Sequence, residues 1–162
     1  CRSQEPRSAR PRPRGASMGF LGSATTWSVR LVSLATCFIF FIGGGLKVSP
    51  KLSPEGFVLV DNEFRNVIGP LWQARVWGPL ELEVDPVFFK TSVGWLELLC
   101  GLLLVTSAAR RPAAAVLTCV MIAAVGTNMM IGESVVFPGV VLLACGFLAA
   151  SPARRRAVVK AD

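Results

Sequence analysis

Four apolar runs, each close to 20 residues long, dominate the sequence, and the stretches between them hold most of its charge. The runs cover residues 27–46, 89–109, 113–132 and 134–151. A helix needs about 20 apolar residues to cross a hydrocarbon core of roughly 30 Å, because it rises about 1.5 Å per residue. The pattern therefore predicts an all-α fold, an integral membrane four-helix bundle that has the lipid bilayer as its solvent.

The position of the charged residues supports a membrane rather than a nucleic acid as the surroundings of this chain. A charge near the middle of a spanning helix costs roughly 2.5–3.5 kcal/mol on insertion scales. The 17 Lys and Arg exceed the 10 Asp and Glu, but they cluster beside the apolar runs and not on a patch interleaved with aromatic residues. Nucleic acid is therefore not an expected partner.

Three basic clusters predict the topology, because Lys and Arg near helix ends stay on the cytoplasmic side. They lie at residues 2–14, 110–111 and 154–160, and four crossings place all three on one face. We therefore expect a multi-pass protein with both termini in the cytoplasm. Residues 1–26 are predicted to be a disordered basic N-terminal tail, and residues 152–162 a short basic C-terminal tail.

The first connection, residues 47–87, is the long segment predicted outside the bilayer. Ser53 as N-cap, Pro54 at the first helical position and Glu55 in the first turn predict the start of a helix. Apolar residues then recur on one face for about 14 residues, which is typical of an amphipathic helix; they are Phe57, Val60, Phe64 and Val67. We expect this face to lie on the mouth of the bundle or in the membrane interface.

The composition excludes histidine chemistry. The chain has no His and no Tyr, so histidine-based general bases, triads and zinc sites are ruled out. None of its five Cys lies in a C-x-x-C pair, and the four inside apolar runs are typical of small hydrophobic groups. No metal, cofactor or catalytic residue is predicted, and a non-enzymatic role is favoured over an enzymatic one.

Glu97 is the strongest candidate for a functional residue, because it lies roughly 10 Å inside the second run, where an ionisable group is costly. Lys90, Gly94, Glu97 and Gly101 share one helix face as a stripe of small and polar residues. Small residues let a neighbouring helix approach closely, so we expect Glu97 to point into the bundle. Gly44, near the end of the first run, is assigned to helix packing together with Gly94 and Gly101.

Glu97 needs a partner, because an unpaired buried carboxylate would take up a proton. We expect this partner to be Lys47 at the end of the first run, with Lys90 as the second choice. Two interpretations of Glu97 stay open: it is a structural polar clamp between helices, or it lines a site for a ligand, a proton or a partner.

Two motifs resemble those of the transmembrane protein 35 family. Residues 44–53 read GGLKVSPKLS and residues 92–101 read SVGWLELLCG, similar to the family pattern G-x-x-K-[LV]-[ST]-P followed by S-[VI]-G-x-L-E-x-x-x-G. That family belongs to the DoxX-like four-helix membrane proteins and includes a chaperone of acetylcholine receptors. The resemblance covers about residues 31–150, and stretches near 76–78 and 133–148 are more similar to the less characterised B branch of the family.

The resemblance implies a protein of the endoplasmic reticulum membrane that helps other integral membrane proteins, its partners, to assemble or traffic. Its matching residues are Gly44, Lys47, Gly94 and Glu97. Two alternatives stay open: a redox or quinone-linked subunit, as some DoxX-like proteins are, and a small transporter or lipid-binding protein that uses Glu97. A sealed, ion-paired interior around Glu97 would favour the helper, and an open tunnel would favour transport.

Overall fold

The computed structural model describes residues 18–106 and 108–151, with side chains from Trp27 onward in these ranges. All the elements in these ranges are helical, which confirms the predicted all-α class. They follow in the order α1 (Met18–Val48), α2 (Pro54–Glu63), α3 (Gly69–Trp72), α4 (Pro86–Leu103), α5 (Arg110–Ile131) and α6 (Val136–Ala150), with short π and 3₁₀ turns on either side of α3.

The start of α1 corrects the predicted N-terminal tail. Residues 18–26 are helical, whereas the prediction placed them in a disordered segment covering residues 1–26. That prediction depended on the Arg and Pro of residues 1–17, while residues 18–26 contain neither and extend a helix that the apolar run already nucleates. The predicted tails at residues 1–17 and 152–162 lie outside the described residues.

Within the described residues, three helices are long and apolar enough to cross a membrane: 22 residues of α1 from Trp27 to Val48, the 18 residues of α4 and the 22 of α5. The fourth apolar helix, α6, has 15 residues and therefore rises about 22 Å, less than a core of roughly 30 Å. It is shorter than its predicted range of 134–151 at both ends. Ser134 precedes the helix and accepts a hydrogen bond from the Val136 N–H, and Ser151 is extended because it precedes a proline.

α4 lies earlier in the chain than its predicted range of 89–109. Asp85 caps its first turn by accepting a backbone hydrogen bond of 3.1 Å, and Pro86 occupies the first helical position, where its missing N–H costs nothing. The helix ends at Leu103, and residues 104–106 continue in tighter turns with hydrogen bonds to the third residue back.

α5 begins earlier than its predicted range of 113–132, so Arg110 and Arg111 belong to its first turn and not to the preceding connection. Pro112 fits there because the first N–H groups of a helix have no intrahelical partner. α5 ends at Ile131, and the next residue, Gly132, has a φ of 77°, the left-handed conformation that a glycine adopts most easily after a helix.

The four apolar helices of the described residues, α1, α4, α5 and α6, alternate in direction and associate as two pairs. α1 packs along α4, with Phe40 beside Gly101 and Gly44 beside Gly94, and α5 packs along α6 after a short turn. Contact between the pairs, of α4 with α5 and of α1 with α6, is less extensive. The buried apolar side chains that fill the interior include Phe40, Leu104, Leu117, Met121, Val141 and Leu148.

Residues 54–80, here called the cap, pack against the ends of α1, α4 and α5. Ser53 begins the cap as predicted, since its hydroxyl accepts a hydrogen bond of 3.1 Å from the Gly56 N–H. The helical path does not end after about 14 residues, however. It continues to Leu80 through π turns at residues 64–68 and 73–77.

Each π turn ends at a glycine that precedes a proline. The N–H of Gly69 donates to the carbonyl of Phe64, five residues back. The N–H of Gly78 donates in the same way to Gln73. The following proline has no N–H and its ring would collide with the carbonyl four residues back in a regular α-helix. Widening the turn moves that carbonyl aside, so the helical path bends instead of stopping.

Candidate functional site

Lys47 and Glu97 form an ion pair between α1 and α4. The Lys47 Nζ lies 2.6 Å from each of the two Glu97 carboxylate oxygens, and the exposed fractions of the two side chains are 19% and 3%. Lys47 stands in the last turn of α1 and Glu97 in the second half of α4, so the antiparallel packing of these helices brings them together. This is the pairing that the sequence predicts. Loss of either partner would leave a charge buried alone, which typically costs about 3–5 kcal/mol.

The predicted packing glycines lie at the same helix contact. Gly44 and Gly94 face each other across the α1–α4 contact, and a Cβ at Gly101 would lie 3.1 Å from the Cβ of Phe40. The short distance between the two backbones lets the Lys47 side chain reach Glu97 without extending into solvent. Because these glycines already contact α1 or α4, their faces are not open to a helix of another protein.

Lys90, the second choice as partner of Glu97, binds elsewhere. Its Nζ lies 2.5 Å from a carboxylate oxygen of Asp61 and 4.0 Å from the ring centroid of Phe57. The Lys90 residue is only 1% exposed, so both contacts replace water around its ammonium group. Lys90 therefore joins α4 to the cap.

Asp61 is a site residue that the sequence reasoning missed. Its carboxylate accepts hydrogen bonds from Lys90 and from the Arg65 Nε, the latter at 2.7 Å. These bonds, that of Lys90 first, hold the pKa of Asp61 below its ordinary value. The sequence does contain a signal for Asp61. It lies four residues after Phe57 and three before Phe64, so it shares the helix face that was interpreted only through its apolar side chains.

Two cavities adjoin the Lys47–Glu97 pair. The first, which we call the interhelical cavity, has a volume of about 380 Å³ and lies between α1, α5 and α6. Phe38 and Phe137 line it and are themselves 65% and 66% exposed, so this cavity opens to the surface beside α1 and α6. Its lining is apolar except for the ion pair and includes Ile39, Phe40, Ile42, Gly43, Met121 and Val141.

The second cavity, called the cap cavity, has a volume of about 310 Å³ and lies between the cap, α4 and α5. Lys47 and Glu97 line it as well, so the ion pair borders both spaces. Its other polar groups are Glu63, Thr127 and Asn128, and its apolar lining includes Val60, Phe64, Ile68, Trp72, Phe89, Val93 and Val120. The surroundings of Glu97 therefore match neither of the two predicted alternatives, a sealed interior or an open tunnel, because the residue is ion-paired and also borders two cavities.

Glu63 differs from Asp61 and Glu97, because it accepts no hydrogen bond and forms no ion pair with a described residue. Its side chain is partly buried. Burial, followed by the charge of Glu133, raises the pKa of Glu63 above its ordinary value, and Lys47 opposes this shift.

Aromatic rings form one wall of the cap cavity and extend behind it. The ring centroid of Phe89 lies 5.9 Å from that of Phe64 and 5.3 Å from that of Trp72, and Trp77 packs behind them at 5.9 Å from Trp72. The Trp72 Nε1 donates a hydrogen bond of 3.0 Å to the Thr127 hydroxyl, which ties the cap to α5. These contacts hold the rings in place beside the cavity.

Neither a metal site nor a disulfide bond is present among the described residues. No three His, Cys, Asp or Glu side chains between residues 18 and 151, Ser107 aside, come close enough to hold a metal ion. The four described cysteines, Cys37, Cys100, Cys119 and Cys145, are free thiols.

A scan against models of protein families finds no match to this chain, and a search of curated proteins finds none either.

Proposed function

We propose that α1, α4, α5 and α6 form a four-helix bundle that crosses the membrane. Three of the helices have the necessary length and apolar composition. Large apolar side chains cover the outside of the bundle, where lipid would solvate them; they include Leu34, Phe38, Phe88, Leu99, Ile122 and Leu143. The shorter α6 can cross if the bilayer thins locally, at a cost of fractions of a kcal/mol per Å of mismatch.

The alternating helix directions support an orientation with both termini in the cytoplasm. They put the start of α1, the α4–α5 connection and the end of α6 on one face, and the cap with Glu133 on the other. Arg110 and Arg111 lie on the first face, which favours the cytoplasmic side. We place the protein in the endoplasmic reticulum membrane on the strength of the family resemblance alone.

Within this bundle, we propose that the chain binds an amphiphilic small molecule or lipid and performs no catalysis. The observation that carries this proposal is the placement of the Lys47–Glu97 pair between two mainly apolar cavities of about 380 and 310 Å³. Ligand sites in proteins are typically apolar spaces of roughly 300–1,000 Å³ with a few polar groups that orient the ligand. The open side of the interhelical cavity gives an acyl chain a route from the bilayer.

The test is retention of lipid by the purified full-length protein, measured by native mass spectrometry from mild detergent. Gly43→Leu would fill the interhelical cavity, because Gly43 lines it and a Cβ there has ordinary contact at 3.8 Å with Glu97. Gly139→Leu on α6 is the matched control, since a Cβ there has no described atom within 4 Å.

We expect the wild type and Gly139→Leu to retain one amphiphile per chain, and Gly43→Leu to lose most of it. Equal retention by the two variants, or none by the wild type, would contradict the proposal.

A second candidate is a non-enzymatic helper in the assembly or trafficking of other membrane proteins. The closed geometry of the ion pair favours it over a proton-linked transporter, since Lys47 contacts both oxygens of Glu97 and a transport cycle would have to break both contacts. A client helix would need a face that the bundle does not use itself. Gly139 and Gly146 on α6 provide such a face, because neither has an atom within 4 Å of a Cβ position.

Chemical cross-linking in membranes followed by affinity purification tests the helper role. The double variant Gly139→Leu/Gly146→Leu should lose its cross-linked membrane proteins while Gly43→Leu keeps them, the opposite of the order expected for lipid retention. A wild type that recovers no membrane protein would count against a helper.

A further inference from the structure

We infer that the cap cavity binds the cationic head group of an amphiphile, with Glu63 as its counter-ion and the rings of Phe64, Trp72 and Phe89 as its wall. This inference rests on the proposed function, because it specifies the chemistry of the ligand that the two cavities would hold. It is independent of the identity of any client protein.

The charge of the cavity lining supports a cation. Lys47, Glu63 and Glu97 are the ionisable side chains that line it. Lys47 and Glu97 neutralise each other through two contacts of 2.6 Å, so Glu63 leaves the lining with one net negative charge. An anionic head group would have to draw Lys47 away from Glu97 and leave a buried carboxylate without its partner, which is costly.

Glu63 is the group that a cation would satisfy. It has no hydrogen-bond or ion-pair partner among the described side chains, although burial and the nearby charge of Glu133 both disfavour its charged form. Lys47, whose charge acts on Glu63, is already engaged with Glu97, and both Lys90 and Arg65 are engaged with Asp61. A positively charged ligand would supply the missing partner in a partly desolvated space, where such a contact is stronger than in water.

The aromatic wall fits the same chemistry. Ammonium groups, especially alkylated ones, are attracted to the faces of Trp and Phe rings within about 6 Å of the centroid. The protein already uses this interaction beside the cavity, where the Lys90 Nζ lies 4.0 Å from the Phe57 ring centroid. Trp72 and Phe89 are held 5.3 Å apart and present a comparable surface to the cap cavity.

The location explains why the ligand would be an amphiphile and not a small hydrophilic cation. The cap cavity lies at the end of the bundle, at the depth of the lipid head groups in the proposed topology, and most of its lining is apolar. The interhelical cavity lies on the other side of the Lys47–Glu97 pair, towards the open surface between α1 and α6. A head group in the cap cavity would therefore have apolar space next to it for its tail.

The test compares three amphiphiles that share a decyl tail: decyltrimethylammonium, decanol and decanoate. The full-length protein is purified in a maltoside detergent, which has no charged head group to compete, and binding is followed by tryptophan fluorescence. Trp72→Phe should remove the saturable signal, because Trp72 lines the cavity. Trp95→Phe should keep it, since Trp95 is exposed on α4 and lies outside the cavity lining.

We expect decyltrimethylammonium to bind about fivefold more tightly than decanol, the order of magnitude of one partly exposed ion pair, and decanoate to bind most weakly. Glu63→Gln should remove the preference for the cation. The matched control is Glu83→Gln, which removes the same charge from an exposed position outside the lining and should preserve the preference.

Equal affinities for the three head groups, a preference for decanoate, or an unchanged preference in Glu63→Gln would overturn the inference while amphiphile binding itself stands. Absence of binding by all three probes would overturn the proposed function as well. If Glu63→Gln fails to fold, the head-group series on the wild type decides the question by itself.

Discussion

Gly44 and Gly94 touch through their backbones, so that a side chain on either would collide with the other. A Cβ at Gly44 would lie 2.7 Å from the Gly94 carbonyl oxygen, and a Cβ at Gly94 would lie 3.0 Å from the Gly44 carbonyl oxygen. Both are shorter than an ordinary van der Waals contact. This backbone contact sets the spacing of α1 and α4, and with it the reach of Lys47 to Glu97.

Gly44→Ala and Gly94→Ala should each destabilise the protein by about 1–3 kcal/mol, the usual cost of overpacking, because each new methyl group would meet backbone atoms and side-chain atoms close to the backbone within 3.1 Å. Thermal unfolding in detergent, followed by tryptophan fluorescence, measures the effect. Gly146→Ala is the control. It has no neighbour within 4 Å, and in a helix it should be neutral or stabilising by up to about 1 kcal/mol. Equal melting temperatures for all three variants would show that α1 and α4 are not packed this closely.

The Lys47–Glu97 pair should be strongly coupled. Glu97→Leu leaves the ammonium of Lys47 without its partner and should cost about 3 kcal/mol, whereas Lys47→Leu/Glu97→Leu removes both charges and should recover most of that loss. The double-mutant cycle is measured by chemical denaturation in mixed micelles. Additive effects of the two single changes would mean that the charges do not interact across the helices.

Docking of the cap should weaken in acid because of Asp61. Its hydrogen bonds with Lys90, and secondly with Arg65, hold its pKa below the ordinary value of 3.8. The carboxylate therefore contributes stability above that value, and the contribution is lost as the pH falls through the lower pKa of the folded state. Glu63 has the opposite effect on the pH dependence of stability. Its pKa is raised because burial disfavours the charged form, so its protonation at low pH stabilises the folded state.

The fluorescence of Trp72 and Trp77 reports the docking of the cap, because both pack against Phe89 at the start of α4. The wild type should show an undocking transition below about pH 4, where a paired Asp takes up its proton. Asp61→Asn should be less stably docked at neutral pH and should lack the acid transition. A transition that is the same in both proteins would assign it to another carboxylate.

Sequence reasoning located the apolar helices, which depend on local information, and also the Lys47–Glu97 pair, although its residues lie 50 positions apart. Helix length and depth follow from counting residues at 1.5 Å each. The two residues of the pair stand beside glycines on the faces that meet. The position of Lys90 was harder to predict. Its partner, Asp61, lies in the cap and not in one of the long apolar helices, and only the docking of the cap brings the two together.

The cavities and the course of the cap depend on tertiary packing. Gly69-Pro70 and Gly78-Pro79 are ordinary turn signals in sequence, yet here each closes a π turn inside a continuing helical path. The cavities arise from the less extensive contact between the α1–α4 and α5–α6 pairs, which depends on the angles between helices and not on periodicity. Glu63 lines the cap cavity only because the cap is folded over that space.

The π turn at residues 64–68 should be needed for the position of the cap, and Gly69 should be its most sensitive residue. A Cβ at Gly69 would lie 2.6 Å from the Phe64 carbonyl oxygen and 2.8 Å from the Cβ of Pro86, at the start of α4. Gly69→Ala must therefore open the turn and also push the cap away from α4, at a cost of about 1–3 kcal/mol.

Gly78→Ala is the natural comparison, because a Cβ there would lie 2.8 Å from the Gln73 carbonyl oxygen but within 3 Å of no atom in α4. It should disturb its own π turn and leave the docking of residues 54–68 intact. Amide hydrogen exchange read by mass spectrometry separates the outcomes: Gly69→Ala should speed exchange throughout residues 54–77, and Gly78→Ala only near residues 73–80. Fast exchange of the whole cap in both variants would show that the cap unfolds as one unit and that the contact of Gly69 with Pro86 has no special part in docking it.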